Sequence, residues 1–316
     1  MAGLMQCLTV AVLALGAGAP ADKWKLIWSD EFNTPGMADP NKWDYEVGYI
    51  RNKELQYYTK ARPENARVEG GFLVIETRKD NFEDHPITSA SLHTRRKASW
   101  KYVRIEVRAK LPTGRGMWPA IWMLGVNRQL GWPACGEIDI MENVGFDPLM
   151  IHANVHTKAY NHVLGTNKGN KIKVTDPSKN FHVYAIEWFE DHIDFFMDET
   201  KYFTFKNEGT GSDVWPFDKP HYLILNAAYG GSWGGQKGTD DHILPQKYLI
   251  DYVRVYKARK WKAAVLISEE DIRIDRFQLR NAITKALAYE GRAREYDASG
   301  WGMKSACRLA SQSQNW

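Results

Sequence analysis

From Trp24 to Tyr256 no stretch of this chain sets apolar residues at helical spacing; what recurs is alternation. Arg104-Ile105-Glu106-Val107-Arg108-Ala109-Lys110-Leu111 puts polar and apolar side chains in turn. That is the period of a strand with one face in a core and the other in water. Phe72–Glu76 follows Gly70-Gly71 as a short apolar strand, and His182–Trp188 and Tyr252–Tyr256 read the same way. Glu190-Asp191-His192 is turn-like, and Asp194–Met197 reads as a hairpin partner. Short strands with turn signals about every ten residues predict an all-β fold, a β-sandwich. Two curved sheets of this kind are expected to form a jelly roll with a substrate cleft on the concave face.

The two ends differ from this body. Leu8 to Ala19 is almost wholly apolar, and Ala19-Pro20-Ala21 has the small-x-small form of a signal-peptidase site. Residues 1–21 therefore read as a signal peptide, although no Lys or Arg precedes the run, and a secreted or periplasmic location is expected. The run is too short to span a membrane, and no other stretch is apolar enough. The body is assigned to residues 22–257 and an unassigned C-terminal extension to 258–316, within which Phe277–Ala288 has a helical pattern.

From Lys257 onward there are twelve Lys/Arg against seven Asp/Glu, while the whole chain carries a formal charge of +4. The body is therefore close to neutral, which suits a neutral substrate and gives no reason to expect nucleic acid or a membrane as partner. A monomer is expected. Cys7, Cys135 and Cys307 are scattered and form neither a disulfide framework nor a zinc pattern. The aromatic complement is high, with 13 Trp and 15 Tyr. Such side chains fill sandwich cores, and they also offer flat apolar faces to sugar rings.

The sharpest local signal is Gly136-Glu137-Ile138-Asp139-Ile140-Met141-Glu142. On a strand Glu137 and Asp139 share a face, but Glu142 falls opposite because five is odd. A β-bulge at Met141 would return Glu142 to that face. No Lys or Arg occurs between Gly131 and Ile151 to offset the charges. An exposed acidic face is one reading. The other is catalysis, since hydrolysing a glycosidic bond with retention needs an ionised carboxylate and a protonated one close together.

Trp132-Pro133-Ala134-Cys135 leading into this strand, with Asn143-Val144-Gly145 after it, resembles the catalytic strand of glycoside hydrolase family 16. The extra Met resembles the laminarinase-like branch. The resemblance runs over roughly residues 24 to 257. It includes Trp28-Ser29-Asp30-Glu31-Phe32, Asn52-Lys53-Glu54-Leu55-Gln56-Tyr57-Tyr58-Thr59, Gly116-Met117-Trp118-Pro119-Ala120-Ile121-Trp122-Met123, Trp215-Pro216-Phe217-Asp218, Leu225 to Trp233 and Asp251 to Tyr256. It implies a retaining endo-β-1,3-glucanase acting on β-glucan, with Glu137 as nucleophile, Asp139 as its assistant and Glu142 as acid/base. It further implies that Asn52, Asn226 and His156 contact sugar and that Trp118 and Trp122 flank the cleft. It implies no cofactor for catalysis, and a structural calcium at Glu31, Gly71 and Asp251. Val103, Ser91 and Cys135 depart from the residues the family often has there, namely Gly, Arg and Ser.

Several side chains keep a second reading. Trp118 and Trp122, four apart on one strand face, are cleft walls or core residues. Trp233, in Gly230-Gly231-Ser232-Trp233-Gly234-Gly235, lacks apolar neighbours in sequence and is expected to stack on sugar. His152 and His156 have metal-pair spacing only on a helix, and no third ligand stands near them in sequence. A hydrolase of mixed-linkage glucan, agarose or carrageenan, and a non-catalytic glucan recognition protein, are the competing functions. The latter class lacks the two glutamates.

Overall fold

The computed structural model describes residues 23–259. The chain divides into two units, Met1–Lys260 and Trp261–Trp316, and the described residues belong to the first. The expected signal peptide at 1–21, the helix at 277–288 and nearly all of the extension 258–316 lie outside the described residues.

The described residues form strands β1 (Trp24–Asp30), β2 (Asp44–Tyr45), β3 (Tyr57–Tyr58), β4 (Ala66–Glu69), β5 (Phe72–Phe82), β6 (His85–Ser89), β7 (Ser91–His93), β8 (Arg104–Lys110) and β9 (Met117–Gly125). There follow β10 (Glu137–Glu142), β11 (Met150–His156), β12 (Lys168–Lys173), β13 (His182–Trp188), β14 (His192–Met197), β15 (Thr200–Lys206), β16 (His221–Tyr229) and β17 (Gln246–Ala258). Two 3-10 turns, Arg128–Leu130 and Asp241–Ile243, complete the elements.

One sheet has ten strands, along the path β15-β14-β13-β8-β17-β5-β6-β3 with β1 on β17 and β4 on β5. The other has seven, ordered β12-β11-β10-β9-β16-β7-β2. This is the expected sandwich. The alternation of β8 sends Ile105, Val107 and Ala109 inward, where they meet Tyr184, Ile186, Val253 and Val255 of the same sheet. Ile121, Met123, Ile138, Ile140, Met141, Leu223 and Leu225 enter the same core from the seven-stranded sheet. Trp188, at 0 % exposure, is anchored there by its indole N–H, which donates to the Phe217 carbonyl at 3.1 Å.

Some strands are longer than their sequence signals. Phe72–Glu76 continues to Phe82, and His192 belongs to β14 rather than to the preceding turn. Tyr252–Tyr256 is the centre of a 13-residue strand. That strand is extended because β1 pairs along it as far as Trp24 opposite Ala258, and Arg259 N–H donates to the Lys23 carbonyl at 2.9 Å. The boundary expected at residue 257 therefore falls inside a paired strand.

β10 contains the bulge. Asp139 pairs with Asn154 and Glu142 with His152, so three steps on β10 match two on β11. Against β9, Asp139 pairs with Trp122 and Met141 with Ile121. The extra residue is absorbed at Ile140-Met141, and both side chains are fully buried in the core. Glu137, Asp139 and Glu142 consequently share the outer face.

The entry to β10 is equally constrained. Gly136 has φ +81°, and a Cβ there would lie 2.8 Å from His221 Nε2 and from Pro216 Cγ. Gly136→Ala is expected to destabilise the fold by about 2–3 kcal/mol, from left-handed strain and overpacking together. Urea denaturation of the variant beside the parent chain measures this.

Candidate active site

Three carboxyl groups and one imidazole meet on the outer face of β10. His156 stands directly across from Glu137 in the β10–β11 register. Its Nε2 lies 3.3 Å from Asp139 Oδ2 and 3.7 Å from Glu137 Oε1. Trp132, on the loop before β10, donates its indole N–H to Glu137 Oε2 at 3.0 Å. Trp118 on β9 donates to Glu142 Oε1 at 2.9 Å. Each glutamate thus has one indole fixing one of its oxygens. Trp132 was legible only as part of a motif; its function depends on a loop folding back over β10.

The third ligand missing from the sequence around His152 and His156 is supplied in space by the acids. One ligand atom each of Glu137, Asp139 and His156 lies within 4.8 Å of the others. A metal reading lacks the usual anchoring, because ligand histidines are held through their second nitrogen and His156 Nδ1 has no partner.

The flanking residues fall into place on the same face. Trp118 and Trp122 are buried outside the inter-sheet cluster, in two separate smaller clusters. One face of the Trp122 ring is covered by the Arg51 guanidinium, 4.8 Å from the ring centroid. Trp233 is half-buried rather than free of neighbours, with its ring edge-on to Trp118 at 5.5 Å and to His152 at 5.0 Å. The glycine-rich sequence around it hid these contacts because they come from β9 and β11.

Asn52 is exposed on a left-handed backbone, φ +56°, followed by Lys53 at +54°. Its carbonyl accepts from Ser232 N–H at 2.7 Å, tying this turn to the Trp233 segment. Asn226 was expected to meet a sugar hydroxyl, but it is only 4 % exposed and bonded inside the protein. Its Oδ1 accepts from Trp122 at 2.7 Å and its Nδ2 donates to Tyr58 at 3.0 Å. Its amide thus links Trp122 to Tyr58 within the protein.

Glu31, Gly71 and Asp251 approach one another through the strands, since β1 and β5 both pair with β17 around Asp251. Their side chains do not fit a calcium ion as they stand. Both Glu31 oxygens accept from Arg254, at 3.0 and 2.8 Å, and Asp251 accepts from Arg108. Guanidinium groups already neutralise these two carboxylates, and Gly71 offers only its backbone carbonyl.

Residues 53–254 match the model of glycosyl hydrolases family 16. The chain belongs to that family. It is 54% identical over 247 residues to a beta-glucanase of Rhodothermus marinus, covering 75% of this chain and 86% of that one. The structure of the laminarinase from Rhodothermus marinus matches with a TM-score of 0.73 at 53% identity, over 75% of this chain and 98% of that one. A non-specific endo-β-1,3(4)-glucanase matches at TM-score 0.72 and 50% identity, over 76% and 93% of the two chains.

Burial is the main cause of the protonation pattern in this family 16 site. It raises all three carboxyls. Asp139, at 3 % exposure and facing Glu142, is held well above the usual carboxylate range. Glu137 is pushed up to about 8 by burial and then by the Asp139 charge, while His156 and Trp132 pull it down. Three like charges in so dry a place do not all ionise at once. A proton on one member of the row lessens the repulsion felt by the others. Burial raises the Glu142 carboxyl, and the Trp118 hydrogen bond opposes that rise.

This arrangement costs stability in a defined pH window. The Glu137 carboxyl rises from an ordinary 4.5 to about 8 on folding, so the folded chain holds more protons between those values. Stability from this group is complete below 4.5 and is lost as pH rises through 8. Glu137→Gln is expected to raise the melting temperature by more at pH 8 than at pH 5. Paired thermal scans at the two pH values check the sign.

Proposed function

We propose that this chain is an endo-acting β-1,3-glucanase of the laminarin type, retaining anomeric configuration. The observation that carries the reading is the bulge that sets Glu137, Asp139 and Glu142 on one face of one short strand. Glu137 attacks the anomeric carbon. Glu142 protonates the departing oxygen and then, as a base, activates the water that releases the glycosyl-enzyme. Asp139, the partner of His156, supports Glu137 without bonding to sugar. The reaction proceeds on side-chain carboxyls alone. A recognition protein without activity would have no use for two glutamates, each oriented by an indole. The names of the relatives support the linkage, and the non-specific endo-β-1,3(4)-glucanase among them makes mixed-linkage glucan the second substrate to try.

Reducing-sugar release is expected from laminarin, with less from lichenan and none from agarose or carrageenan. Proton NMR of fresh product is expected to show the β-anomer first; the α-anomer first would mean inversion and a different use of Glu142. Glu137→Gln is expected to lower turnover by at least about 10³-fold while remaining folded, as removal of a group bonded in the transition state requires.

Monomeric state and export belong to the same proposal, the latter supported by the apolar run before Ala19-Pro20-Ala21. A structural calcium would have to use backbone carbonyls or displace Arg254 and Arg108. EGTA is therefore expected to leave the melting temperature unchanged, and a drop of several degrees would restore the ion.

A further inference from the structure

Glu54 is a buried carboxyl, 7 % exposed, that the reaction described above does not use. Three groups donate to it: Gln56 Nε2 at 2.8 Å, and Asn52 Nδ2 and the Tyr58 hydroxyl, each at 3.2 Å. Tyr58 in turn accepts from Asn226 Nδ2 at 3.0 Å, and Asn226 Oδ1 accepts from the Trp122 indole at 2.7 Å. The chain Trp122–Asn226–Tyr58–Glu54 has only one possible direction. An indole N–H can only donate and a carboxylate can only accept, so the two ends fix the amide orientation and the hydroxyl rotor between them.

The position of Glu54 is set just as firmly. It bridges Gly230 across the backbone, Leu55 N–H donates to the Tyr229 carbonyl at 2.8 Å, and Gln56 Oε1 accepts from Tyr229 N–H at 2.7 Å. The Gly231 backbone lies against it, with space there for a Cβ only at 3.0 Å from Glu54 Cγ. The segment thus joins the Trp122 wall to the turn that presents Trp233. In the sheet register, Asn226 stands across from Ala120, and Ala120 across from Glu142. The middle of the donor chain, Asn226, therefore lies in line with Glu142 two strands away.

We propose that Glu54 is a positioning residue of the cleavage site: it ends the donor chain that orients Trp122 and places a carboxyl within electrostatic reach of Glu142. This rests on the reading of Glu142 as acid/base. When ionised, Glu54 favours a proton on Glu142, in the direction the Glu142 carboxyl already leans. The other titratable and charged groups around the pair are Arg51, Glu46 and Tyr58 near Glu54, Glu137 and Asp139 on β10, and His152 and His156 on β11. Arg51, bonded to Glu46, offsets part of the charge of Glu54. Burial raises the Glu54 carboxyl, and Arg51 and the three donors oppose that rise.

The test is carbon-13 NMR titration of the full chain labelled at glutamate side-chain carboxyls, with the Glu142 signal assigned by its loss in Glu142→Gln. This readout needs no substrate, so it stands even if the glucanase reading fails. In Glu54→Gln the Glu142 midpoint is expected to fall by about half a pH unit or more, as loss of a nearby like charge requires. In Tyr58→Phe, which breaks the donor chain without changing charge, the midpoint is expected to stay in place. On the polysaccharide that the parent chain cleaves, the basic limb of the kcat/KM profile is expected to move down in Glu54→Gln only. Both variants are expected to lose about tenfold in kcat/KM through a loosened Trp122. Glu54→Met supplies a second uncharged side chain should the amide fail to fold. An unmoved Glu142 midpoint in the folded uncharged variant overturns the electrostatic role, and unchanged kcat/KM in Tyr58→Phe overturns the positioning role.

Discussion

β10 must serve two opposed faces with six residues. Ile138, Ile140 and Met141 have to enter the inter-sheet core, where each is fully buried. Glu137, Asp139 and Glu142 have to stay on the outer face. A regular strand cannot do both, because its side chains alternate without exception. One extra residue at Ile140-Met141 resolves the conflict. Removing it would leave either a carboxylate in the core or a core side chain in water, and the first alone costs several kcal/mol or more. The site is therefore secured by the core beneath it.

The cost of placing three acids together falls on the outer face. Burial raises every carboxyl in the row, and the protein answers with single, directed donors rather than with basic side chains. Trp132 holds Glu137 and Trp118 holds Glu142. A lysine in either place would lower the carboxyl pKa and remove the proton that Glu142 needs. The pairs of Arg254 with Glu31, just past β1, and of Arg108 on β8 with Asp251 on β17 lie at the other sheet, away from this row.

The walls depend on strands that are distant in sequence. Asn226 from β16 receives the indole of β9 and reaches the hydroxyl of β3, which reaches Glu54. Each of these residues looks, in its own segment, like an ordinary polar or aromatic interruption of a strand. Their joint role arises because β16 lies beside β9, an adjacency that no local pattern encodes.

Local chemistry made much of this protein legible in advance. Alternation in β8 and the apolar runs of β13 and β17 gave the sandwich, because side-chain periodicity is a property of a single strand. The spacing of Glu137, Asp139 and Glu142 required a bulge, since parity along a strand is arithmetic. Only the tertiary structure decided what those residues touch. It set His156 against two acids and folded Trp132 over Glu137. It turned Asn226 away from solvent toward Trp122, packed Trp233 on Trp118 and His152, and gave the Glu31 and Asp251 carboxyls to arginines. Each of those contacts joins segments that pairing between strands brings together, and the partner across a sheet is chosen by the whole core rather than by the residues that meet.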